Sequence, residues 1–483
     1  MIGRQEILDF AADFGLDPNV VEKDYVLGWL LAAIGAQREI GQEWLFKGGT
    51  CLKKCFFETY RFSEDLDFTS LNPAHIDEPF LSRVFREIAD RLYEQAGIEL
   101  PADTQRFEIY QNPRGRNSVQ GRVGYRGPLG RQAGVPRIRL DVTADERVIM
   151  EADRREVHHP YSDRPARGFH VLTYRFEELF AEKIRALAER LRPRDLYDVV
   201  HLYRRDDSGA DRVRIVETLK GKCEFKEIPV PTTAALRAHP ELAALRNEWM
   251  TMLRHQLPQL PLFDDFWSEL PGVFDWLFDV AKRPQAASMP FRPDIDTAWR
   301  APAMGFAWRS EGISAPLEKI RFAAANRLCV DLLYRDESGR VGGRPIEPYS
   351  LRRTLGGELL LYAVRHADGS SRSYRVDRIL DATVTQTPFV PKFAIEFGTI
   401  TPFTAPSVTQ SSPYSLKPRV PALKPARAQR HASVGMGLTY VFECGFCGKK
   451  FSRKTYDSAL NPHKSKDGWP CPGRTGSFVE TRY

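Results

Sequence analysis

The stretch WLFKGGTCLKKCFFETYRFSEDLDF, residues 44–68, most constrains what this chain can fold into. It opens with an apolar run that predicts a buried strand ending at Lys47. Gly48 and Gly49 then predict a turn that a ligand can approach closely, because neither residue has a Cβ atom. Thr50 fits the N-cap of a short helix, so the positive end of that helix would face the turn and suit a phosphate.

The same stretch ends in SEDLDF, where polar and apolar residues alternate. A strand here would place Asp65 and Asp67 on one face, while Leu66 and Phe68 point into the core. Neighbouring carboxylates repel each other unless a cation lies between them, and hard oxygen ligands favour magnesium. A phosphate cradle followed by metal-binding carboxylates suits nucleotidyl transfer. Each part alone is a weak signal, since glycine turns are common and Asp-x-Asp is usually a solvated strand edge.

The run KGGTCLKKCFFETYRFSEDLDF resembles the motif of the AbiEii/AbiGii toxin family, nucleotidyltransferases of the polymerase-β-like superfamily. The resemblance implies an α+β polymerase-β-like domain with a helical layer over residues 1–280, and Mg²⁺ as the catalytic metal. It also implies where the substrate and the metal bind. The nucleotide would contact Lys47, Gly48, Gly49, Thr50 and Ser63, and the metal would contact Asp65 and Asp67.

A third carboxylate follows in RIRLDV, residues 137–142. The alternation predicts a strand with Ile138 and Leu140 on one face and Asp141 on the other, beside Arg139. In the superfamily that the chain resembles, a neighbouring strand supplies the third carboxylate. The resemblance therefore makes Asp141 the remaining Mg²⁺ ligand and the residue that acts as, or orients, the base. The alternative is an aspartate that only pairs with Arg139.

Residues 176–191 predict an amphipathic helix whose apolar face includes Lys183. An amine on that face either snorkels to solvent or is held by a fixed anion. The run EKIRALAERLRPRDLYD also resembles the second motif of the toxin family, which implies catalytic roles for Lys183 and Asp195. Lys183 would contact the triphosphate or the leaving group. The alternative for Asp195 is a cap or first-turn acid of the next helix.

Charge and cysteine usage limit the kind of partner and the cell compartment that we expect for this protein. The net charge is +7, and arginines concentrate in residues 113–139 and 335–378, which favours a polyanionic partner over a membrane. Solvated surface charge is the alternative, and charge alone does not decide between the two. Seven cysteines scattered over the chain argue against a disulfide framework. Because the sequence also shows no membrane-spanning run and no signal peptide, we expect a cytoplasmic protein without membrane contact.

The second half predicts two further domains. Residues 281–312 are rich in Pro and Arg and predict a linker, and the short strands predicted in residues 313–397 suggest a small barrel. The words YRDESGR, PIEPYSLR and LLLYAVRHADGSSRSYRVDRI resemble a WYL domain, a small Sm-like β-barrel that binds a nucleotide ligand or nucleic acid. Six arginines could form a phosphate-reading surface or stabilise the barrel through ion pairs: Arg335, Arg352, Arg365, Arg372, Arg375 and Arg378. Residues 398–438 predict disorder.

The last segment, residues 439–483, predicts a zinc-ribbon-like tail. A Cys-x₂-Cys pair is followed by a histidine and another cysteine, and a tail this short needs a metal to fold. The four predicted ligands of one structural Zn²⁺ are Cys444, Cys447, His463 and Cys471.

These features predict a multidomain, metal-dependent nucleotidyltransferase toxin of a toxin–antitoxin or phage-defence system. By resemblance, it would transfer nucleotides from an NTP to an RNA, with the 3′ end of a tRNA as the leading acceptor, and would have a separate antitoxin protein. One rival is a WYL-domain regulator that binds nucleic acid or senses a ligand and carries an inactive transferase fold. Another is a transferase that modifies a protein hydroxyl.

Overall fold

The computed structural model describes most of the chain, and its described residues form two compact units within residues 1–409 and 410–483. The described residues are 1–57, 60–112, 114–130, 134–205, 210–282, 286–299, 314–397, and 439–482 without 445–446, 454–457, 459, 462, 465–469 and 472–474. The disorder predicted for residues 398–438 lies outside them. Among the described residues, no helix has the length and apolar character needed to cross a bilayer.

A mixed seven-stranded sheet forms the centre of the N-terminal half, with strand order β3-β4-β5-β2-β1-β7-β6. Its strands are β1 (Trp44–Lys47), β2 (Asp65–Ser70), β3 (Arg106–Gln111), β4 (Asn117–Gly124), β5 (Arg137–Thr143), β6 (Asp153–Val157) and β7 (Phe169–Thr173). The predicted strands at the start of the glycine motif and over residues 137–142 are confirmed. β1 pairs antiparallel with β2, whereas β2 pairs parallel with β5.

Helices surround this sheet, and some of them begin at a residue whose side chain caps the helix. They are α1 (Arg4–Phe14), α2 (Pro18–Ala36), α3 (Gly48–Cys51), α4 (Glu78–Ala96), α5 (Phe176–Arg190), α6 (Pro193–Arg204), α7 (Arg212–Lys226), α8 (Thr233–Arg237), α9 (Leu242–Leu253), α10 (Phe263–Trp267) and α11 (Leu270–Leu277). The Asp17 side chain accepts the backbone N–H of Asn19 at the start of α2. α3 continues into a π-helical turn, Leu52–Phe56.

The apolar face of the sheet packs against α2 and α4. Trp29 of α2 contacts Phe169 of β7, and Phe85 of α4 contacts Phe107 of β3, with ring centroids 4.8 and 4.9 Å apart. Burying these faces is the main favourable contribution to folding. The opposite face of the central strands remains available for polar side chains, and α5 lies beside it.

A five-stranded antiparallel sheet follows helix α12 (Ser314–Asn326), with strand order β11-β10-β9-β8-β12. Its strands are β8 (Leu328–Arg335), β9 (Val341–Arg353), β10 (Leu359–Arg365), β11 (Ser371–Arg375) and β12 (Ile379–Pro388). Met289 and Ile295, inside the segment predicted as a linker, are buried against this sheet. That boundary stays a prediction.

Most arginines predicted for a phosphate-reading surface on this sheet form ion pairs instead. Arg352 is 2% exposed and pairs with Glu396. Arg375 pairs with Asp377 and Glu358, and other pairs involve Arg365 and Arg378. For these four residues the structure favours the stabilising alternative.

Helix α12 joins the second sheet to the N-terminal half through buried contacts. The hydroxyl of Tyr197 on α6 donates to the side chain of Asn326 at 2.8 Å, and Arg204 donates to the Asn326 carbonyl oxygen at 3.2 Å. Apolar residues of α12, including Ile320, belong to the same core as those of α6. The two halves therefore share one hydrophobic core.

Candidate active site

Three aspartates lie on one face of the seven-stranded sheet because of the register between β2 and β5. Asp67 is directly opposite Asp141, and Asp65 is directly opposite Arg139. The alternate residues Leu66 and Leu140 are at most 1% exposed, so the carboxylate side chains project from the opposite face of the sheet. The structure thus brings together the three residues predicted as Mg²⁺ ligands.

The surroundings of these carboxylates favour a cation. Burial and the neighbouring charge of Asp141 raise the pKa of Asp67 to about 6, against the partial relief from Lys47 and Lys183. Burial and the charge of Asp65 also raise the pKa of Asp141. Asp141 forms no ion pair with Arg139 among the described residues; its carboxylate accepts a hydrogen bond from Gln120. A divalent cation would relieve the repulsion among the three carboxylates.

Gly48 and Gly49 allow the backbone to pass close to these side chains. Gly48 has a φ of +79°, and a Cβ atom there would collide with the Asp67 carboxylate. A Cβ at Gly49 would lie 2.6 Å from the Arg61 guanidinium and 3.1 Å from the Ser63 hydroxyl. The turn, Ser63 and Asp67 are therefore neighbours, as the predicted nucleotide site requires.

The capping role predicted for Thr50 is wrong. α3 begins at Gly48, directly after the extended Lys47, so Thr50 lies inside the helix and is fully buried. Its hydroxyl donates to the backbone carbonyl of Asp65 at 2.5 Å. Thr50 thus ties α3 to the first residue of β2 and sets where the carboxylate strand begins.

Lys47 lies at the end of β1, opposite Asp67 in the antiparallel register. Its ammonium group is 2.9 Å from the Glu182 carboxylate and 3.9 Å from Glu146. Burial alone would lower the pKa of Lys47, but the charge of Glu182 raises it above the ordinary value. Lys47 therefore stays charged on the same face as Asp67.

Lys183 on α5 is held by a fixed anion rather than snorkelling to solvent. Its ammonium group is 2.7 Å from Asp198 and 3.6 Å from Asp195 on α6. Asp195 accepts two hydrogen bonds from Arg190. The N-cap of α6 is Arg192, so Asp195 is not the cap, but it is an acid in the first turn of α6, as the alternative allowed. Lys183 is near enough to lower the pKa of Asp67, so it belongs to the same electrostatic environment.

Sequence reasoning missed Arg61 and Asp198. Arg61 donates to both carboxylate oxygens of Asp198, at 2.7 and 2.8 Å, and both side chains are at most 2% exposed. Burial would raise the pKa of Asp198, but Arg61 and then Lys183 hold it well below the usual range. One signal for Asp198 was present, because it lies three residues after Asp195 and so on the same helix face. The burial of Arg61 depends on tertiary packing and has no local signal.

Arg194 is a partly exposed cation at this site. Its guanidinium is 3.8 Å from the Asp65 carboxylate, and its side chain is 38% exposed. Glu64, next to Ser63, pairs with Lys23 at 2.7 Å. The carboxylates are therefore bordered by charged side chains that fix their positions.

The four residues predicted as zinc ligands also converge in the second unit. Its strands are β13 (Thr439–Cys444), β14 (Lys450–Arg453), β15 (His463–Lys464), β16 (Pro470–Cys471) and β17 (Gly476–Arg482). The ligand atoms of Cys444, Cys447, His463 and Cys471 all lie within 4.8 Å of one another.

The spacing of these atoms fits a tetrahedral metal. The two sulfur atoms of Cys444 and Cys471 are 3.8 Å apart, and Cys447 Sγ is 3.3 Å from His463 Nε2. Tetrahedral Zn²⁺ with bonds of about 2.0–2.3 Å would place its ligands roughly 3.4–3.8 Å apart. His463 Nδ1 lies 3.0 Å from the Asn461 carbonyl oxygen, which leaves Nε2 to face the site.

The structure places strand-borne carboxylates beside a strand–glycine turn–helix unit. The fold and the family match define the protein as a nucleotidyltransferase. Residues 29–279 match the family model described as the nucleotidyl transferase AbiEii toxin of type IV toxin–antitoxin systems, and residues 316–384 match the WYL domain. The first match covers more than half of the chain, which therefore belongs to the AbiEii nucleotidyltransferase toxin family.

Two solved structures are among those that match part of the chain. MenT4, a nucleotidyltransferase toxin from Mycobacterium tuberculosis H37Rv, is 18% identical over 58% of this chain and 91% of its own, with a TM-score of 0.37. JHP933 from Helicobacter pylori is 16% identical over 55% of this chain and 94% of its own, with a TM-score of 0.36. No curated protein sequence matches the chain. Membership of the family implies an NTP substrate and an antitoxin partner.

Proposed function

We propose that this protein is a metal-dependent toxin that transfers a nucleotide from an NTP to an RNA acceptor, with the 3′ end of tRNA as the leading candidate. One observation carries the proposal: the parallel register that sets Asp67 opposite Asp141, with Asp65 on the same face. The carboxylate positions follow from backbone pairing, so they are fixed before any substrate binds. Preorganised groups of this kind do not need to reorganise during the reaction.

Mg²⁺ is the metal that this donor set fits. Asp65, Asp67 and Asp141 would hold it, since they offer hard oxygen ligands and the pKa of two of them is raised by burial and mutual repulsion. When bound, the metal would neutralise phosphate charge and stabilise the attacking and leaving oxygens. The remaining roles fall to side chains and backbone of this chain.

The glycine turn would hold the triphosphate. The first N–H groups of α3 have no partner within the helix, and Gly48 and Gly49 leave room for phosphate oxygens beside them. Ser63 would donate its hydroxyl to the same group. Thr50 and Lys47 would act through the aspartates, since Thr50 anchors the backbone of Asp65 and Lys47, on the same face, lowers the pKa of Asp67.

Two further residues would act on the reacting groups. Asp141 would accept the proton of the attacking hydroxyl, or orient that hydroxyl, because a raised pKa makes it a better base near neutral pH. Lys183, positioned by Asp198 and Asp195, would offset charge that develops on the leaving phosphate.

Blocking the 3′ end of tRNA would stop translation in the host cell or during phage infection, which gives the toxic effect. Such an acceptor places the reaction in the cytoplasm, where a separate antitoxin would control it. The WYL domain would bind a nucleotide or nucleic-acid ligand. One structural Zn²⁺ held by Cys444, Cys447, His463 and Cys471 would stabilise the tail.

The test is incubation of the purified protein with each labelled NTP, Mg²⁺ and total cellular RNA, followed by gel separation. We expect one size class of RNA to become labelled, and the label to map to the 3′ terminus after nuclease digestion. Label on protein in place of RNA would support the protein-hydroxyl rival. The absence of labelled product with every nucleotide would contradict the proposal.

A further inference from the structure

Three arginines form a row across the open face of the sheet, next to the aspartates. Arg106 of β3 is directly opposite Arg122 of β4, and Arg122 is directly opposite Arg139 of β5. All three side chains are exposed. We call these three residues the arginine ladder. Because neighbouring strands lie about 4.8 Å apart, the ladder sets three positive charges along roughly 10 Å.

The ladder has no close ion pair among the described residues, although the charge of Arg139 reaches Asp141 and lowers its pKa. None of the three guanidinium groups has a carboxylate within ion-pair distance among them: Arg106 donates to the Gln105 carbonyl oxygen, and Arg122 to the Gln120 side chain. Glu108 is on the same face, opposite Gln120, and forms no ion pair with them there. Like charges directly opposite each other in a sheet are destabilising.

Protection of a sheet edge does not explain the ladder. β3 is an edge strand, where a charged residue discourages pairing with another chain, but β4 and β5 are interior strands. Arg139 partly offsets the charge of Asp141, but among the described residues the fold gives no such reason for Arg122 to carry the same charge as Arg106 and Arg139. A bound polyanion would remove the repulsion.

The ladder leads directly to the candidate active site. Arg139 is two residues before Asp141 on the same face of β5, and it is directly opposite Asp65. On the same face, Tyr110 lies four residues after Arg106 on β3 and is 47% exposed. Its hydroxyl forms a hydrogen bond with Ser118, and burial and the charge of Asp141 raise its pKa, so its ring lies near the aspartates. An exposed aromatic ring on a sheet suits unpaired bases, which can stack on it.

We propose that the arginine ladder binds the backbone phosphates of a single-stranded RNA end and directs its terminal hydroxyl towards Asp65 and Asp141. The proposal rests on the proposed function for the identity of the acceptor, and it adds the surface that binds it. Arg139 would hold the phosphate nearest the reacting end, and Tyr110, near Asp141, would stack on a base at that end. Single-stranded RNA is favoured over a duplex because a duplex keeps its bases paired and inaccessible to Tyr110.

The binding test needs no catalysis. A fluorescein-labelled 12-nucleotide single-stranded RNA is titrated with the full-length protein at several salt concentrations, without NTP. The slope of log K against log salt changes by about 0.7 for each phosphate contact to a single strand, so Arg106→Gln/Arg122→Gln/Arg139→Gln should reduce the slope by about 2. The same arithmetic predicts about a hundredfold weaker binding at 0.1 M salt.

Two matched variants separate this surface from net charge. Arg38→Gln/Arg86→Gln/Arg167→Gln removes the same charge at exposed arginines away from this face and should leave the slope unchanged. Replacing the three ladder arginines by lysine should restore most of the binding, since phosphate contacts need charge rather than a particular side chain. The Gln variant should unfold at the same temperature as the parent or higher, because it removes opposed like charges.

The outcomes distinguish this proposal from the proposed function. Asp67→Asn should bind the RNA as the parent does and transfer no nucleotide. If the parent protein transfers no nucleotide, the proposed function is contradicted. The salt dependence of RNA binding would still test the ladder proposal in that case. An unchanged slope in the ladder variant would overturn the ladder proposal even in an active enzyme. Tighter binding of a 12-base-pair RNA duplex or of poly-glutamate than of the single strand would overturn it as well.

Discussion

Asp67 has the surroundings that matter most for the chemistry of the site. It lies under the Gly48 backbone, opposite Asp141, with the charges of Lys47 and Lys183 close enough to lower its pKa. Burial and Asp141 outweigh these cations and leave a pKa of about 6. The carboxylate is thus ionised at neutral pH at a cost that a bound cation would reduce.

This pKa predicts how stability depends on pH. The pKa of Asp67 rises from 3.8 to about 6 on folding, so its contribution to stability is present below about pH 4 and lost as the pH rises through 6. Without added metal, the parent should lose roughly 2–3 kcal/mol between pH 4 and pH 7 relative to Asp67→Asn. Added Mg²⁺ should restore part of this lost stability at pH 7 in the parent, but not in Asp67→Asn.

Urea unfolding of both proteins at the two pH values, with and without Mg²⁺, measures this difference. The same pH dependence in the parent and in Asp67→Asn would show that the carboxylate is not under the predicted repulsion.

Lys183 gives a second prediction at the scale of the residue. Lys183→Met should reduce the rate of nucleotide transfer about a hundred- to a thousandfold, since one electrostatic stabiliser of developing charge is lost. Asp198 keeps its two hydrogen bonds from Arg61, so the variant should still fold. Lys183→Arg keeps the charge and serves as the control. A Lys183→Met enzyme with the parent's rate and affinities would leave Lys183 a structural residue.

At the scale of the element, the sequence predicted those units in which local pattern and tertiary structure agree. The strands around Phe46 and Leu140 and the helix with the buried Lys183 were all predictable, because their periodicity matches the face they bury. Asp65, Asp67 and Asp141 could be predicted as neighbours only with the family resemblance, since strand order is not a local property.

Where local signals conflict with pairing, the sequence predictions were incomplete. Gly342, Gly343 and Pro345 predict a turn, yet they lie within β9. Pairing with β8 on one side and β10 on the other outweighs their low strand preference. Thr50 is a similar case, because its hydroxyl donates a hydrogen bond to the backbone carbonyl of Asp65 and does not cap its own helix.

The tail is an element whose folding depends on a metal. We expect one zinc per chain by elemental analysis, and close to none in Cys444→Ser/Cys447→Ser, because four protein ligands form a closed structural site. Cys223→Ser, outside the tail, should keep the full equivalent. A parent without zinc, or a double variant with a full equivalent, would contradict the site.

At the scale of the whole molecule, the buried contacts between α6 and α12 make the WYL half part of the transferase unit. Ending the chain at residue 397 should leave transfer activity and unfolding temperature near those of the parent, since the tail belongs to the other compact unit. Ending it at residue 282 should lower the unfolding temperature and promote aggregation, because the apolar surface that α12 covers becomes exposed.

The two truncated proteins can be compared by thermal unfolding and by the transfer assay. A chain of residues 1–282 that is as stable as the parent would show that the WYL half contributes little to the shared core. Loss of basal activity on removing residues 398–483 would assign the tail a role in catalysis that its structure does not suggest.

The claim that carboxylates of β2 and β5 form a catalytic metal site is tested most directly by the initial rate of labelled NTP transfer to RNA with saturating Mg²⁺. Asp67→Asn should fold as the parent does and show no measurable transfer, while Asp103→Asn, an exposed acid on another loop, should keep the parent's rate. An Asp67→Asn enzyme that transfers nucleotide at the parent's rate would contradict the account.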